Sequence, residues 1–183
     1  MYILVARESS IIAISNGRIC EFDSDMRLIR KGDRIFGRIF SVFNIFRRLF
    51  RQVIYAIKKI DKDKFIISSG SGFFYLDICE LSIVSIRTPK DFTKCLNLGL
   101  IEIKYKKYII YSEYNANLDK KSVSIYIAPL ESLDDYELVY TFPKNDINHI
   151  HSFHQDPQSK EIFFNVGDYC ESVGIWKLDA ETL

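Results

Sequence analysis

Residues 64–78, KFIISSGSGFFYLDI, hold two apolar runs on either side of a small polar break. Lys64–Ser69 is rich in isoleucine, and Gly72–Ile78 is rich in aromatic residues. Both compositions favour extended chain, where branched and aromatic side chains pack well on a pleated surface. Gly70-Ser71-Gly72 supplies the turn between them. The glycines join two strands and precede no helix, so they read as a hairpin turn and not as a phosphate loop.

The same succession recurs along the chain. Strand-like runs fall at Met1–Ala6, Ser10–Ser15, Arg18–Asp23 and Met26–Lys31, then at Val53–Lys58, Lys64–Ser69, Gly72–Ile78 and Glu80–Arg87. A third set is Leu98–Lys104, Lys107–Tyr114, Ser122–Ala128 and Tyr136–Phe142, and a last, shorter set is His149–His154, Glu161–Val166 and Gly174–Leu178. Turn residues such as Asn16-Gly17, Asp61-Lys62-Asp63 and Asp156-Pro157 separate them. Aligning the second run of each set brings Ile11, Phe65, Tyr108 and Ile162 into register, at spacings of 54, 43 and 54 residues. Ser124–Ile127 and Gly174–Asp179 then share the slot of Phe73–Asp77.

Repeats of this length, each made of four short antiparallel strands, predict an all-β chain of β-propeller blades. One blade cannot cover both of its faces and must stack on a neighbour. A strongly apolar second strand fits that need. The blades are expected at about 1–31, 53–87, 98–142 and 148–183, within one partial propeller domain spanning 1–183. That makes about three blades and part of a fourth, an incomplete ring, since closure takes at least about four. An open array exposes blade edges, so self-association is expected.

Length and composition agree with this. The chain has 183 residues, 48% hydrophobic and 27% charged, which excludes disordered and collagen-like classes. The formal net charge of +1 gives no overall basic footprint, and no nucleic-acid partner is expected. Cys20, Cys79, Cys95 and Cys170 form no CxxC pair, so free and mostly buried thiols are expected. The N-terminus lacks the basic and apolar regions of a signal peptide, and a cytoplasmic location follows as the expectation.

One segment breaks the rhythm. Arg34–Arg51 reads RIFGRIFSVFNIFRRLFR, with five arginines, no acid and ten residues from Ile, Phe, Val and Leu. Its three- and four-residue apolar spacing suits a basic amphipathic helix. Such a helix either packs Phe40, Phe43 and Phe46 on its own domain or lies on an anionic membrane surface.

All three histidines fall in one strand. On a regular strand His149 and His151 share a face, and His154 points to the other. Asp168 and Glu171 follow in the next turn, and Glu113 ends a neighbouring second strand. Imidazoles beside carboxylates can ligate a divalent metal, serve acid–base chemistry, contact a substrate, or tie two blades together. No metal and no cofactor is assigned on these grounds.

The region from Val139-Tyr140-Thr141-Phe142-Pro143 through Asn148-His149-Ile150-His151-Ser152-Phe153, Gln155-Asp156-Pro157, Ile162-Phe163-Phe164, Gly167-Asp168, Glu171-Ser172 and Gly174-Ile175-Trp176 resembles the sialidase-like, BNR-repeat propellers often labelled glycosyl-hydrolase-like. Ser112-Glu113-Tyr114 resembles a second-strand ending of the same family. The framework covers about residues 53–183, and the specific motifs cover 107–178. The Asp-box is degraded: Leu133–Tyr136 and Leu178–Thr182 stand in its place without its glycine and tryptophan.

The resemblance implies a propeller connected with surface polysaccharides, with Glu113, His149, His151, Asp168 and Glu171 as candidate ligand contacts facing the propeller axis. It also implies, for a sialidase, an arginine triad, a Tyr/Glu pair and an acid. Arg18, Arg27, Arg30 and Arg87 lie on strands but outside any matching motif, so the catalytic residues stay unassigned. Two functions follow: a non-catalytic module that binds a carbohydrate or protein, or a glycoside hydrolase acting on a surface polysaccharide.

Overall fold

Every apolar run bounded by turn residues becomes a strand in the computed structural model of the protein. The model describes residues 1–35, 54–70, 72–89, 92, 95–114, 117–168 and 172–179. All the regular elements among them are strands. The first sheet holds β1 (Tyr2–Ala6), β2 (Ser10–Ser15), β3 (Arg18–Asp23) and β4 (Leu28–Arg34). The second holds β5 (Ile54–Lys59), β6 (Lys64–Ser69), β7 (Gly72–Asp77) and β8 (Ser82–Ile86). The third holds β9 (Gly99–Ile103), β10 (Lys106–Ser112), β11 (Val123–Pro129) and β12 (Glu137–Phe142). The fourth has three strands, β13 (His149–Gln155), β14 (Ile162–Gly167) and β15 (Gly174–Leu178).

Consecutive strands are neighbours in every sheet and pair antiparallel, the meander of a propeller blade. The expected architecture is therefore the observed one: all-β, with three four-stranded blades and part of a fourth. Ile11, Phe65, Tyr108 and Ile162 each lie on the second strand of their own sheet. That strand has neighbours on both sides, and its apolar run is the most deeply covered of each sheet.

The chain divides into two compact units, Met1–Ile54 with Lys59–Ser85, and Tyr55–Lys58 with Ile86–Leu183. In the first unit Ile12, Ala13, Ile14 and Ile19 are buried on one sheet, and Phe65, Ile66, Ile67, Phe73 and Leu76 on the other. β4 meets the start of β8 backbone to backbone. A Cβ on Gly32 would overlap the carbonyl oxygen and Cβ of Leu81. The Asp33 amide donates to that same carbonyl at 2.9 Å, and the Ile83 amide donates to Asp33 Oδ2 at 3.0 Å. These bonds carry β4 three residues past the expected Lys31. Its start is also later than expected, because Met26 sits in a turn with φ +62°. Ile35, the second residue of the basic apolar segment, is buried. Of the helix expected over 34–51, Arg34 instead ends β4, where it pairs with Arg18, and residues 36–51, with Phe40, Phe43 and Phe46, lie outside the described residues.

In the second unit one core joins the third and fourth sheets. Ile101, Ile110, Ile125 and Phe142 pack with Ile150, Phe153, Ile162 and Phe164. Two polar ties run beside it. The Asn97 side-chain amide is buried and donates to Ser112 Oγ on β10 at 2.9 Å and to the Ile150 carbonyl on β13. The Gln155 side chain accepts from the Glu102 amide at 2.7 Å and donates to the Glu102 carbonyl at 2.8 Å, continuing β9 as a strand partner would. Buried polar groups are retained where each finds a partner, and both amides do. Cys20 and Cys95 are buried free thiols as expected, but Cys79 is exposed, because it sits in the turn that follows β7. Cys170 lies outside the described residues.

Candidate functional site

Antiparallel register builds the site. His149 opens β13 and stands opposite Gly167, the last residue of β14. The next residue, Asp168, leaves the strand with φ +65°. Its carboxylate turns back to His149, with Oδ2 at 3.0 Å from Nε2. His151 reaches the same oxygen at 3.8 Å from its own Nε2. The two imidazoles meet edge to face at 4.7 Å between ring centres.

The two histidines share the cluster, but plain strand alternation is not the whole reason. The ladder slips between Ile150 and Ser152, so a β-bulge falls on His151 and re-aims its side chain. Gly167 leaves room for that ring, since a Cβ there would overlap His151 Nε2 and Cδ2. His154, near the far end of the strand, is exposed and lies outside the cluster.

Access differs within the cluster. The His149 side chain is 7% exposed, whereas His151 is 38% and Asp168 47% exposed. A ligand would therefore meet His151 and Asp168, with His149 behind them. Tyr114, two residues beyond β10, lays its ring 4.3 Å from that of His149 and 6.0 Å from that of His151. An asparagine relay fixes the Asp168 backbone from behind. Asn148 Nδ2 donates to the Asp168 carbonyl at 2.6 Å, and Asn117 Nδ2 donates to the Asn148 carbonyl at 2.9 Å. Lys120 Nζ donates to Asn148 Oδ1 at 2.5 Å. Such supporting bonds hold in place the turn that carries the carboxylate.

Among the sequence candidates, His149, His151 and Asp168 come together. Glu113 is half-buried beside Tyr114 and is not one of the three clustered donors. Glu171 lies outside the described residues. Tyr114, Asn148 and Gly167, quoted within the resemblance motifs but not as candidate contacts, complete the site together with Asn117. Asn117 belongs to a polar stretch that reads only as a turn, and nothing in a single sequence ties it to Asn148.

The three donor atoms lie within 4.8 Å of one another. At a tetrahedral Zn(II) centre, metal–ligand bonds of about 2.0–2.2 Å set donors about 3.3–3.5 Å apart. The observed set needs only small side-chain shifts to close on such an ion. Without an ion, the same atoms can form an imidazolium–carboxylate pair.

No family model matches the chain, and no curated protein matches it in sequence. Among solved structures, the tricorn protease matches with a TM-score of 0.53 at 10% identity, over 96% of this chain and 16% of that one. The extracellular domain of a hybrid two-component system from B. thetaiotaomicron matches with a TM-score of 0.33 at 12% identity, over 95% and 26%. The chain thus spans about a sixth of the tricorn protease chain, and the likeness extends to the β-propeller fold.

Proposed function

We propose that the chain is a non-catalytic β-propeller module that binds a carbohydrate at the corner formed by Tyr114, His149, His151 and Asp168. One observation carries this reading: an exposed imidazole and an exposed carboxylate stand beside an aromatic ring, held by the ends of three strands. A sugar presents hydroxyls that donate to a carboxylate and accept from an imidazole N–H, and C–H faces that pack on a ring. A few convergent polar groups on a rigid frame are the usual form of a small-ligand site. The resemblance of residues 107–178 to sialidase-like propellers supports the same class of ligand.

The test is a glycan panel read by NMR on the full chain, repeated with His151→Ala. Binding by the parent that weakens about tenfold or more in the variant supports the reading. Equal binding by both proteins places the ligand elsewhere, and hydrolysis of any glycan in the panel favours the glycoside hydrolase reading.

A further inference from the structure

The face of β3 and β4 away from the Glu21–Arg30 ion pair is strongly basic. Arg18 on β3 stands directly opposite Arg34 on β4, and Cys20 stands opposite Lys31. Directly opposed residues of a ladder lie about 4.5–5.5 Å apart at Cβ, and like charges so placed repel. Of the acids on these strands, Glu21 lies on the other face, 3.6 Å from Arg30, while Asp23 accepts from the Arg27 amide and Asp33 from the Ile83 amide. Arg18, Lys31 and Arg34 border a recess of about 390 Å³, with Ser15, Asn16 and Phe22 along its walls and Leu28 at its rim. No acid lines it among the described residues. The Arg18 Nε atom is buried and has no hydrogen-bond partner among the described residues.

A buried guanidinium N–H without an acceptor costs free energy, and so does an arginine pair set face to face. One bound anion removes both costs. Arg18 and Lys31 together call for more than a single negative charge, and a phosphate monoester carries nearly two at neutral pH. Its oxygens suit the fork of a guanidinium. The recess is larger than a phosphate needs, and Phe22 and Leu28 offer apolar surface to whatever the phosphate carries. We propose that this face of β3 and β4 binds an organic phosphate monoester, the phosphate between Arg18, Lys31 and Arg34 and the organic group against Phe22 and Leu28. The site lies wholly within the first unit and is independent of the histidine corner.

The experiment is calorimetric titration of the full chain, in low-salt chloride buffer, with phenyl phosphate, inorganic phosphate and benzoate. Phenyl phosphate is expected to bind more tightly than inorganic phosphate, and benzoate to bind weakest. Arg18→Gln and Lys31→Gln are each expected to weaken phenyl phosphate about tenfold or more, and Arg30→Gln, on the opposite face, to leave it unchanged. Arg18→Gln should also melt no lower than the parent, because it removes a buried guanidinium N–H that has no acceptor among the described residues. Should Arg18→Gln fail to fold, Lys31→Gln carries the test, since Lys31 is exposed. Absence of binding by the parent, equal binding of benzoate, or equal weakening by Arg30→Gln overturns the site. Inorganic phosphate binding as tightly as phenyl phosphate overturns the organic half of the ligand.

Discussion

The imidazole of His151 occupies the space that a side chain at residue 167 would need. A Cβ on Gly167 would overlap Nε2 and Cδ2 and stand 3.3 Å from Cε1. The glycine thus belongs to the ligand corner although it carries no functional group. Gly167→Ala is expected to swing the His151 ring aside while changing stability by no more than about 1 kcal/mol, since only the end of one side chain must move. Histidine NMR signals and thermal melting, measured together, check both halves. Unmoved His151 signals would show that the ring is elsewhere in solution.

Zn(II) is expected to raise the melting temperature of the parent and to do so less for His151→Ala and Asp168→Asn. Co(II) in its place should give the visible absorption of a site with nitrogen and oxygen donors. The effect should fade with acid, because a proton competes for each imidazole. A melting temperature indifferent to both ions assigns the three side chains to an ion pair that braces β13 against the turn after β14.

Gly32→Ala should be severe. The overlapped atoms are the carbonyl group and the Cβ of Leu81, itself held at φ +53° and buried, and these cannot move aside as the end of a side chain can. Overpacking of this kind costs about 3 kcal/mol. Urea unfolding measures it, and a loss below about 0.5 kcal/mol would contradict the close approach of β4 to β8.

The β9–β10 hairpin turns on Lys104 and Tyr105, at φ +49° and +68°, with Ile103 paired to Lys106. Neither residue suits the left-handed region. The double change Lys104→Asn, Tyr105→Gly supplies the preferred pair for such a turn and is expected to stabilise by about 1 kcal/mol. Tyr105 is 96% exposed, so little packing is lost. A lower melting temperature would mean that the exposed ring has a role the turn does not explain.

Asp156 accepts from the amides of Ser159 at 2.6 Å and Gln158 at 2.8 Å, and these bonds hold its carboxyl below the usual carboxylate range. A lowered value in the folded state means that this stabilisation is full above the unfolded carboxyl value and is lost as pH falls through the folded one. Asp156→Ala should therefore lower the melting temperature at neutral pH and converge with the parent in strong acid. Parallel melting curves across that range would exclude the turn as a source of acid sensitivity.

The strand framework was legible because each run carries its own signal. Branched and aromatic residues mark Lys64–Ser69 as extended whatever surrounds it, and Asn16-Gly17 marks its hairpin with two left-handed residues. Pairing of His149, His151 and Asp168 was legible too, since antiparallel register brings residue 168 beside residue 149. The bulge on His151 was not, because it depends on the partner strand. The Asn117–Asn148 bond was not, because it joins residues 31 apart with no shared pattern. The Arg18–Arg34 opposition needed the register of β4, whose later start and later end the composition of Met26–Lys31 conceals.

Asn97 bonds to a carbonyl 53 residues further along the chain. As the protein leaves the ribosome, the third sheet is complete while Ile150 has yet to emerge. Until then the Asn97 amide, already enclosed by β10, lacks its distant acceptor, and burying it carries the penalty of an unsatisfied donor. The third sheet therefore gains its final stability only when β13 arrives, and the two blades mature as one cooperative piece, at the pace set by closing that long loop.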